Sequence, residues 1–378
     1  MPRPLNPPIR HLLMTTDTVG GVWTYALDLS RALARRSVSI TLAVLGPRPS
    51  DAQRREGESV KGLKLVLTDA PLDWLSDEPD AARGASALLS ALARDLSVDL
   101  VQLNGAPFAA EAEYPAPVVA AHHSCLATWW ASAKHGPPPP EWRWRADLVR
   151  RHLEAADRVV APSAAFAALT TAMYGLSRRI DVVHNGRSRS GLAPVDKALD
   201  ALFTAGRLWD EGKNVATLDR VAAAVDAPFF AAGPLAGPNG TKVDCRNLQT
   251  LGELSGDAVR AWLAKRPIFL SSAVYEPFGL TALEAAQAGC ALVLADIPSF
   301  RELWDGAALF APPRDHAAFG KAATALLDDR LLRRRMERAA HERARRYGLE
   351  AMGARMIALY EELVRAGAPA PDDRERAA

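Results

Sequence analysis

Short apolar runs alternate with longer amphipathic stretches along almost the whole chain, in two successive series. The first begins "RHLLMTT", passes through a glycine turn into "GGVWTYALDLSRALARR", and continues with "SVSITLAVLG". Continuous apolar runs separated by helical stretches are what a parallel sheet buried on both faces demands. The series goes on through "GLKLVLTD", a helical "AARGASALLSALARDL", "VDLVQLNG" and "APVVAAHHS". A loop "WWASAKHGPPPPEWRWR", a helix from about Ala146 to Ala156, "RVVAPS", another helix and "IDVVHNGRS" complete it. Residues 188–200 carry Gly and Pro without a period and read as a linker. A second series then runs "ALFTAGRLWDEGKN", "APFFAAGPLAG", "NLQTLGEL", "RPIFLSS", "GLTALEAAQAG", "CALVLADIP" and "AALFAPP". Long helical stretches at 315–328 and 330–366 follow it. The fold class expected is α/β, with two domains at 1–187 and 201–345 facing each other across a cleft. A C-terminal helix at 346–366 is expected to return to the first domain, and 367–378 to form a disordered tail.

Composition narrows the function classes. With 378 residues, 49% hydrophobic and 24% charged, the chain is long enough for two cores and is not of disordered type. A net charge of +2 argues against a dedicated nucleic-acid binder. No run approaches the roughly 20 apolar residues of a membrane span. The N-terminal "MPRPLNPPIRHLLMTT" lacks the apolar core of a secretory signal, so a cytoplasmic protein is expected. Cys125, Cys245 and Cys290 are too widely spaced to suggest a disulfide framework or a metal cluster. One segment is strongly basic: "RLLRRRMERAAHERARR" at 330–346 carries eight arginines against two glutamates. A solvated helical face is one reading, and peripheral contact with an anionic membrane at its inner face is the other.

Three short segments carry chemistry. "TTDTVGGVWTYALDL" sets Gly20 and Gly21 between a strand and a helix, where backbone can approach a ligand and the helix N-terminus attracts anions. It is not the G-x-G-x-x-G dinucleotide fingerprint, and a tight turn explains the glycines equally well. "GRLWDEGKN" places Arg207 and Lys213 after the first strand of the second series, at the end of an open sheet where ligands bind. Two cations there suit a diphosphate, although each alone reads as a surface residue. "AVYEPFGLTALEAAQAG" puts Glu276 before a Pro-Phe-Gly turn and Glu284 inside the following helix. The first helical amides, around Gly279, Leu280 and Thr281, are unpaired within the helix and suit a phosphate. Flanking carboxylates can accept bonds from sugar hydroxyls; singly, either acid would merely complement the helix dipole. No D-x-D and no His/Cys/Asp cluster with ligand spacing occurs, so no metal is expected.

Taken together, these segments resemble the retaining GT-B glycosyltransferases of family 4 (group 1). "EPFGLTALE" resembles that family's E-x7-E signature and "AGRLWDEGKN" its G-R-L…K segment. "TVGGVWTYALDL" looks like its Gly-Gly loop, and "VVHNGR" like its strand-Asn-Gly exit from the first domain. The likeness spans nearly the whole chain in order, and "VVAPSAAF" with "VLADIPSFRELWDGAALFAPP" adds similar context around Ser163 and Glu302. It implies two Rossmann-like domains across a deep cleft, the acceptor on the first and a nucleoside diphosphate sugar, UDP- or GDP-linked, on the second. Glu276 would then contact the donor sugar and Glu284 the ribose. Arg207 and Lys213 would hold the diphosphate, helped by Gly20, Gly21 and the amides of Gly279, Leu280 and Thr281. The family also places a histidine beside the transferred sugar; here "AAHHS" offers His122 and His123. Strand alternation sends the two to opposite faces, and His123 is the expected one.

The implied reaction moves a sugar to an acceptor hydroxyl with retention, by a front-face route in which the departing diphosphate helps deprotonate the acceptor. It calls for no cofactor beyond the donor substrate. The acceptor would be a saccharide, glycan or lipid-linked glycan, and Trp129, Trp130 and Trp142 in the tryptophan-rich segment are candidates to stack on it. Core packing is the competing reading of those rings. Arg187 and Ser188 stand where the family often has an apolar residue and Asp, which puts the geometry of the linker in question. Rival readings are a sugar-nucleotide epimerase of the same shape, a non-catalytic two-lobed binding protein and a membrane scaffold.

Overall fold

The structure is a computed structural model and describes residues 9–72, 79–188 and 198–367. In the first half, β1 (His11–Thr16), α1 (Gly21–Ala34), β2 (Ser39–Val44), α2 (Asp51–Glu58) and β3 (Leu63–Leu67) form the leading units. Then come α3 (Pro79–Asp95), β4 (Leu100–Asn104), β5 (Val118–Ala121), α4 (Leu126–Ala133) and α5 (Arg143–Ala155). The half closes with β6 (Arg158–Ala161), α6 (Ala164–Tyr174) and β7 (Asp181–Val182). The strands make one parallel sheet in the order β3-β2-β1-β4-β5-β6-β7, with β1 on β2 in register from His11–Ser39 to Thr16–Val44. All of β4 and β5 is buried, as strands covered by helices on both faces must be, and the polar Gln102 and Asn104 of β4 bond to each other.

The second half repeats the plan with β8 (Leu202–Ala205), α7 (Val215–Ala224), β9 (Phe229–Ala232), β10 (Gln249–Thr250) and α8 (Gly256–Ala264). It continues through β11 (Ile268–Ser271), α9 (Leu280–Gln287), β12 (Leu292–Ala295), α10 (Pro298–Trp304), β13 (Leu309–Ala311) and α11 (His316–Asp328). Its sheet runs β10-β9-β8-β11-β12-β13, all parallel. Strand order reverses beside β1 and β4 in one sheet and beside β8 and β11 in the other. At such points the loops leaving the strands part and open a crevice for a ligand.

The helical stretch expected over 330–366, with its C-terminal helix from 346, is built of α12 (Arg330–Ala344) and α13 (Leu349–Gly367). The break comes where Tyr347 buries its ring against Trp304, centroids 5.8 Å apart, and Gly348 meets Gly186. A Cβ on Gly186 would lie 2.4 Å from the Gly348 carbonyl oxygen, so the outgoing and returning chains cross at glycine on glycine. Beyond the crossing, α13 packs on α1, where a Cβ on Gly353 would reach within 2.7 Å of the Ala32 Cβ. Met352, Met356 and Tyr360 of α13 complete the first half's core beside Leu12, Leu27 and Leu33. The segment beginning "WWASAKHG" is not all loop either: Trp129 and Trp130 stand on α4. On α12, Arg333 turns inward to Asp200 and Glu337, while Arg334, Arg335 and Arg338 face solvent. The expected linker falls chiefly on 189–197 and the expected tail on 368–378, both outside the described residues.

Candidate active site

The crevice of the second sheet gathers the cations. Arg207 lies two residues past the end of β8, after Gly206, and Lys213 sits on a short 3-10 turn, Glu211–Lys213. Lys213 Nζ meets Glu276 Oε2 at 2.5 Å. Arg207, Lys213, Glu276, Gly279 and Thr281 wall one cavity, with Phe300 beside them. Gly279 caps α9 in a left-handed conformation, φ +89°, and a Cβ there would stand 2.7 Å from Phe300 Cε1. Only glycine fits both demands. No side chain caps α9, so its leading amides stay available to an anion.

The first half closes directly on this cavity. A Cβ on Gly20 would lie 2.8 Å from Arg207 Nη1, and one on Gly21 would lie 3.3 Å from Leu280 Cδ1. The glycine loop therefore lies against both the arginine and the first residue of α9. Asp17, just past β1, accepts the Val19 N–H at 2.8 Å. Burial pushes its carboxyl above the usual range, against the pull of that N–H and of Arg207.

Asp210 organises the cationic loop. Its Oδ2 accepts from Arg207 Nη2 at 2.9 Å, and its Oδ1 accepts from Gly212 N–H at 2.9 Å and from Trp129 Nε1 at 3.0 Å. Burial resists ionisation of Asp210, but Arg207 and Lys213 outweigh it and hold the carboxyl below the usual range. Trp129 thus turns its polar edge to the second half. Trp130 and Trp142 pack edge to face, centroids 5.1 Å apart, beside it. A second bridge is Thr128 Oγ1 to Tyr275 OH, 2.8 Å, with the Tyr275 ring sunk into the first half's core. A third is at Ser163, whose hydroxyl donates to the Pro277 carbonyl at 2.7 Å. Beside it Glu302 accepts the N–H groups of Ala164 and Ala165 at 2.9 and 2.7 Å.

The two histidines after β5 part as strand alternation requires. His122 stacks on Phe166 at 5.2 Å, and its buried Nε2 has no partner. Burial draws it down to about 4. His123 sits edge-on to Tyr25 at 4.3 Å, with Nε2 3.3 Å from Asn104 Oδ1. Burial, with His122 nearby, pulls His123 down to about 3, so it is neutral at physiological pH. Asn104 Oδ1 also accepts from Gln102 Nε2 at 2.8 Å, while Asn104 Nδ2 donates to Thr15 O at 2.9 Å. With that oxygen as acceptor, His123 carries its proton on Nε2 and leaves Nδ1 free to accept.

Two family models cover the chain: "Glycosyltransferase Family 4" over residues 19–189 and "Glycosyl transferases group 1" over 245–343. The chain belongs to the family 4, group 1 glycosyltransferases. Among solved structures, sucrose-phosphate synthase from Thermosynechococcus elongatus matches this glycosyltransferase with a TM-score of 0.80 at 17% identity, over 95% of this chain and 100% of that one. HepE from Anabaena, in complex with UDP and glucose, matches with a TM-score of 0.72 at 15% identity, over 94% and 100%. These likenesses establish the two-domain GT-B fold. A phosphatidyl-myo-inositol mannosyltransferase of Mycobacterium leprae is 35% identical over 94 residues, 24% of this chain and 25% of its own length. A glycogen synthase of Mycobacterium tuberculosis is 35% identical over 100 residues, 26% of this chain and 24% of its own. The matched segments thus span about a quarter of those curated relatives.

In this glycosyltransferase the expected residues Gly20, Gly21, Arg207, Lys213, Glu276, Gly279, Leu280 and Thr281 meet in one place. Glu284 lies one turn further along α9, held by Arg187 Nη2 at 2.5 Å. Arg187 also bonds Asp28, a buried acid of α1. Sequence reasoning passed over Asp17, Asp28 and Asp210; for Asp17 and Asp210, each just beyond a strand's carboxyl end, position was the available signal. Among the described residues no group of three or more His, Cys, Asp or Glu is gathered as a metal site. No described helix is long and apolar enough to cross a membrane.

Proposed function

We propose that the protein transfers a glycosyl group from a nucleoside diphosphate sugar to an acceptor hydroxyl, with retention and without a required metal. The observation that carries this reading is the convergence of Arg207, Lys213, the uncapped start of α9 and Glu276 on one cavity. The cations and amides suit a diphosphate, and Glu276, held by Lys213, suits hydroxyls of the donor sugar. The bond from the anomeric carbon to the diphosphate oxygen breaks while the acceptor oxygen bonds to the same face. The acceptor proton passes to the departing phosphate oxygen. Charge growing on that oxygen is met by Arg207 and Lys213, the kind of fixed stabilisation that lowers a barrier most. Neutral His123 accepts a sugar hydroxyl through Nδ1, and Trp130 and Trp142 offer apolar faces to an acceptor glycan.

The donor is proposed to be a UDP- or GDP-sugar and the acceptor a saccharide, glycan or lipid-linked glycan. Exposed Arg334, Arg335 and Arg338 on α12 favour a peripheral seat on anionic membrane. Thermal unfolding with UDP, GDP, ADP and dTDP names the nucleotide. A ligand at a hundred times its Kd raises stability by roughly 2.7 kcal/mol. Transfer of labelled sugar with release of the nucleoside diphosphate, insensitive to EDTA, is the expected outcome. Interconversion of sugar nucleotides without transfer would favour an epimerase instead, and no response to any nucleotide at millimolar concentration would sink the proposal.

A further inference from the structure

Arg187 lies where the chain leaves the first half, and its main chain is fastened on both sides. Its N–H donates to the Tyr347 carbonyl at 3.2 Å, and its carbonyl accepts from Gln287 Nε2 of α9 at 3.2 Å. The side chain is only 11% exposed and its guanidinium forks between the two halves. Nη1 bonds Asp28 Oδ2 on α1, and Nη2 meets Glu284 Oε1 on α9 at 2.5 Å. Asp28 is wholly buried, its other oxygen 3.0 Å from Arg31 Nη1, and the buried Nε of Arg187 has no partner. A free surface arginine gives up much rotamer entropy to hold one ion pair; here the clamped main chain has already placed the side chain.

We propose that Arg187 is a positioning residue for nucleotide recognition: it holds Glu284 in the pose that reads the ribose hydroxyls of the nucleoside diphosphate. The inference rests on Glu284 being the ribose acid. A carboxylate offers about four lone-pair sites, and Arg187 takes one, so it orients Glu284 without blocking it. Without the guanidinium, Glu284 would be left near a buried carboxylate on Asp28, and repulsion would turn it away. Because Asp28 belongs to α1 and Glu284 to α9, the same cation makes ribose recognition depend on the joint between the halves.

The test compares affinities for UDP with 2′-deoxy-UDP, and for GDP with 2′-deoxy-GDP, by calorimetry. A site built to bond a hydroxyl rejects the analogue lacking it, because the acceptor is then left unpaired. For whichever diphosphate binds, the unaltered protein is expected to prefer the ribose form by about tenfold or more. Arg187→Leu should bring that preference below about threefold while the diphosphate still binds through Arg207 and Lys213. Arg187→Lys restores the charge but not the fork and should recover part of it. Asp28→Asn, which touches no nucleotide, should also lower it. If Arg187→Leu does not fold, Arg187→Lys and Asp28→Asn carry the measurement. A folded Arg187→Leu protein with undiminished preference overturns the inference. If the unaltered protein shows no preference, and Glu284→Ala changes nothing, the ribose reading of Glu284 itself falls and the inference with it.

Discussion

Trp129 on α4 donates its indole N–H to Asp210 Oδ1 at 3.0 Å, across 81 residues of sequence and from one half of the molecule to the other. That bond places the helix following His123 directly against the loop that aims Arg207. Approach of the two halves and placement of the cation are therefore one event.

Trp129→Phe keeps an aromatic ring in place but removes the indole N–H, together with the pyrrole part of the ring. A hydrogen bond to a charged group contributes about 1.5–3 kcal/mol, so kcat/KM for transfer should fall roughly ten- to hundredfold. Asp210→Asn should act in the same direction and, combined with Trp129→Phe, should add little. Independent, fully additive losses in the double variant would disprove the coupling.

Lys213→Ala and Arg207→Ala should each lower kcat by about a hundredfold, or ~3 kcal/mol, as loss of a preorganised donor does. Lys213→Ala additionally releases Glu276 from its 2.5 Å contact, so KM for the donor should rise as well. Steady-state kinetics with kcat unchanged within twofold would remove these residues from the chemical step.

Gly279→Ala forces a left-handed φ of +89° on alanine and drives its Cβ to 2.7 Å from Phe300 Cε1. Gly240 has a similar φ, +80°, but open space around it. Gly240→Ala therefore measures backbone strain alone, about 1 kcal/mol, and Gly279→Ala should cost roughly 1–3 kcal/mol more by urea unfolding. Equal losses at the two sites would mean the ring yields freely.

Buried neutral histidines set the acid limit. Burial draws His122 down to about 4 and His152, whose Nδ1 accepts the Ala109 N–H at 3.2 Å, down to about 3. Unfolded, both would take protons near pH 6.5, so the unfolded state binds more protons below that value. Their contribution is full above pH 6.5 and is lost as pH falls toward 4 and 3, by up to about 1.4 kcal/mol per pH unit for each. His122→Phe should flatten the fall of the unfolding midpoint over pH 6.5 to 4. An unchanged slope would show that other groups govern it.

The alternation of strands and helices was legible because strands of a parallel sheet buried on both faces read as unbroken apolar runs, as in "LVLA" of β12. Gly279, Arg207 and Lys213 were legible because a glycine break and two cations after strands carry local signals. Asp210 and Arg187 were not, since their meaning lies in partners 81 and 159 residues away. Helix α4 was hidden for a local reason: its eight residues hold adjacent tryptophans, modest helix formers, ahead of a proline run. A separate C-terminal helix was expected from 346; the chain instead turns at Tyr347 and Gly348, where Gly348 meets Gly186, and α13 starts at Leu349.

The packing of α13 on α1 also governs the order in which the chain can be finished during synthesis. Until residues 349–367 have emerged from the ribosome, the apolar surface that will receive Met352, Met356 and Tyr360 stands open to water, although every strand of its sheet has long been made. The second half, by contrast, holds its core within a continuous stretch ending near Tyr347 and can consolidate first. The half translated earliest is thus the last to be sealed, and the interval between is when a nascent chain most needs protection from aggregation.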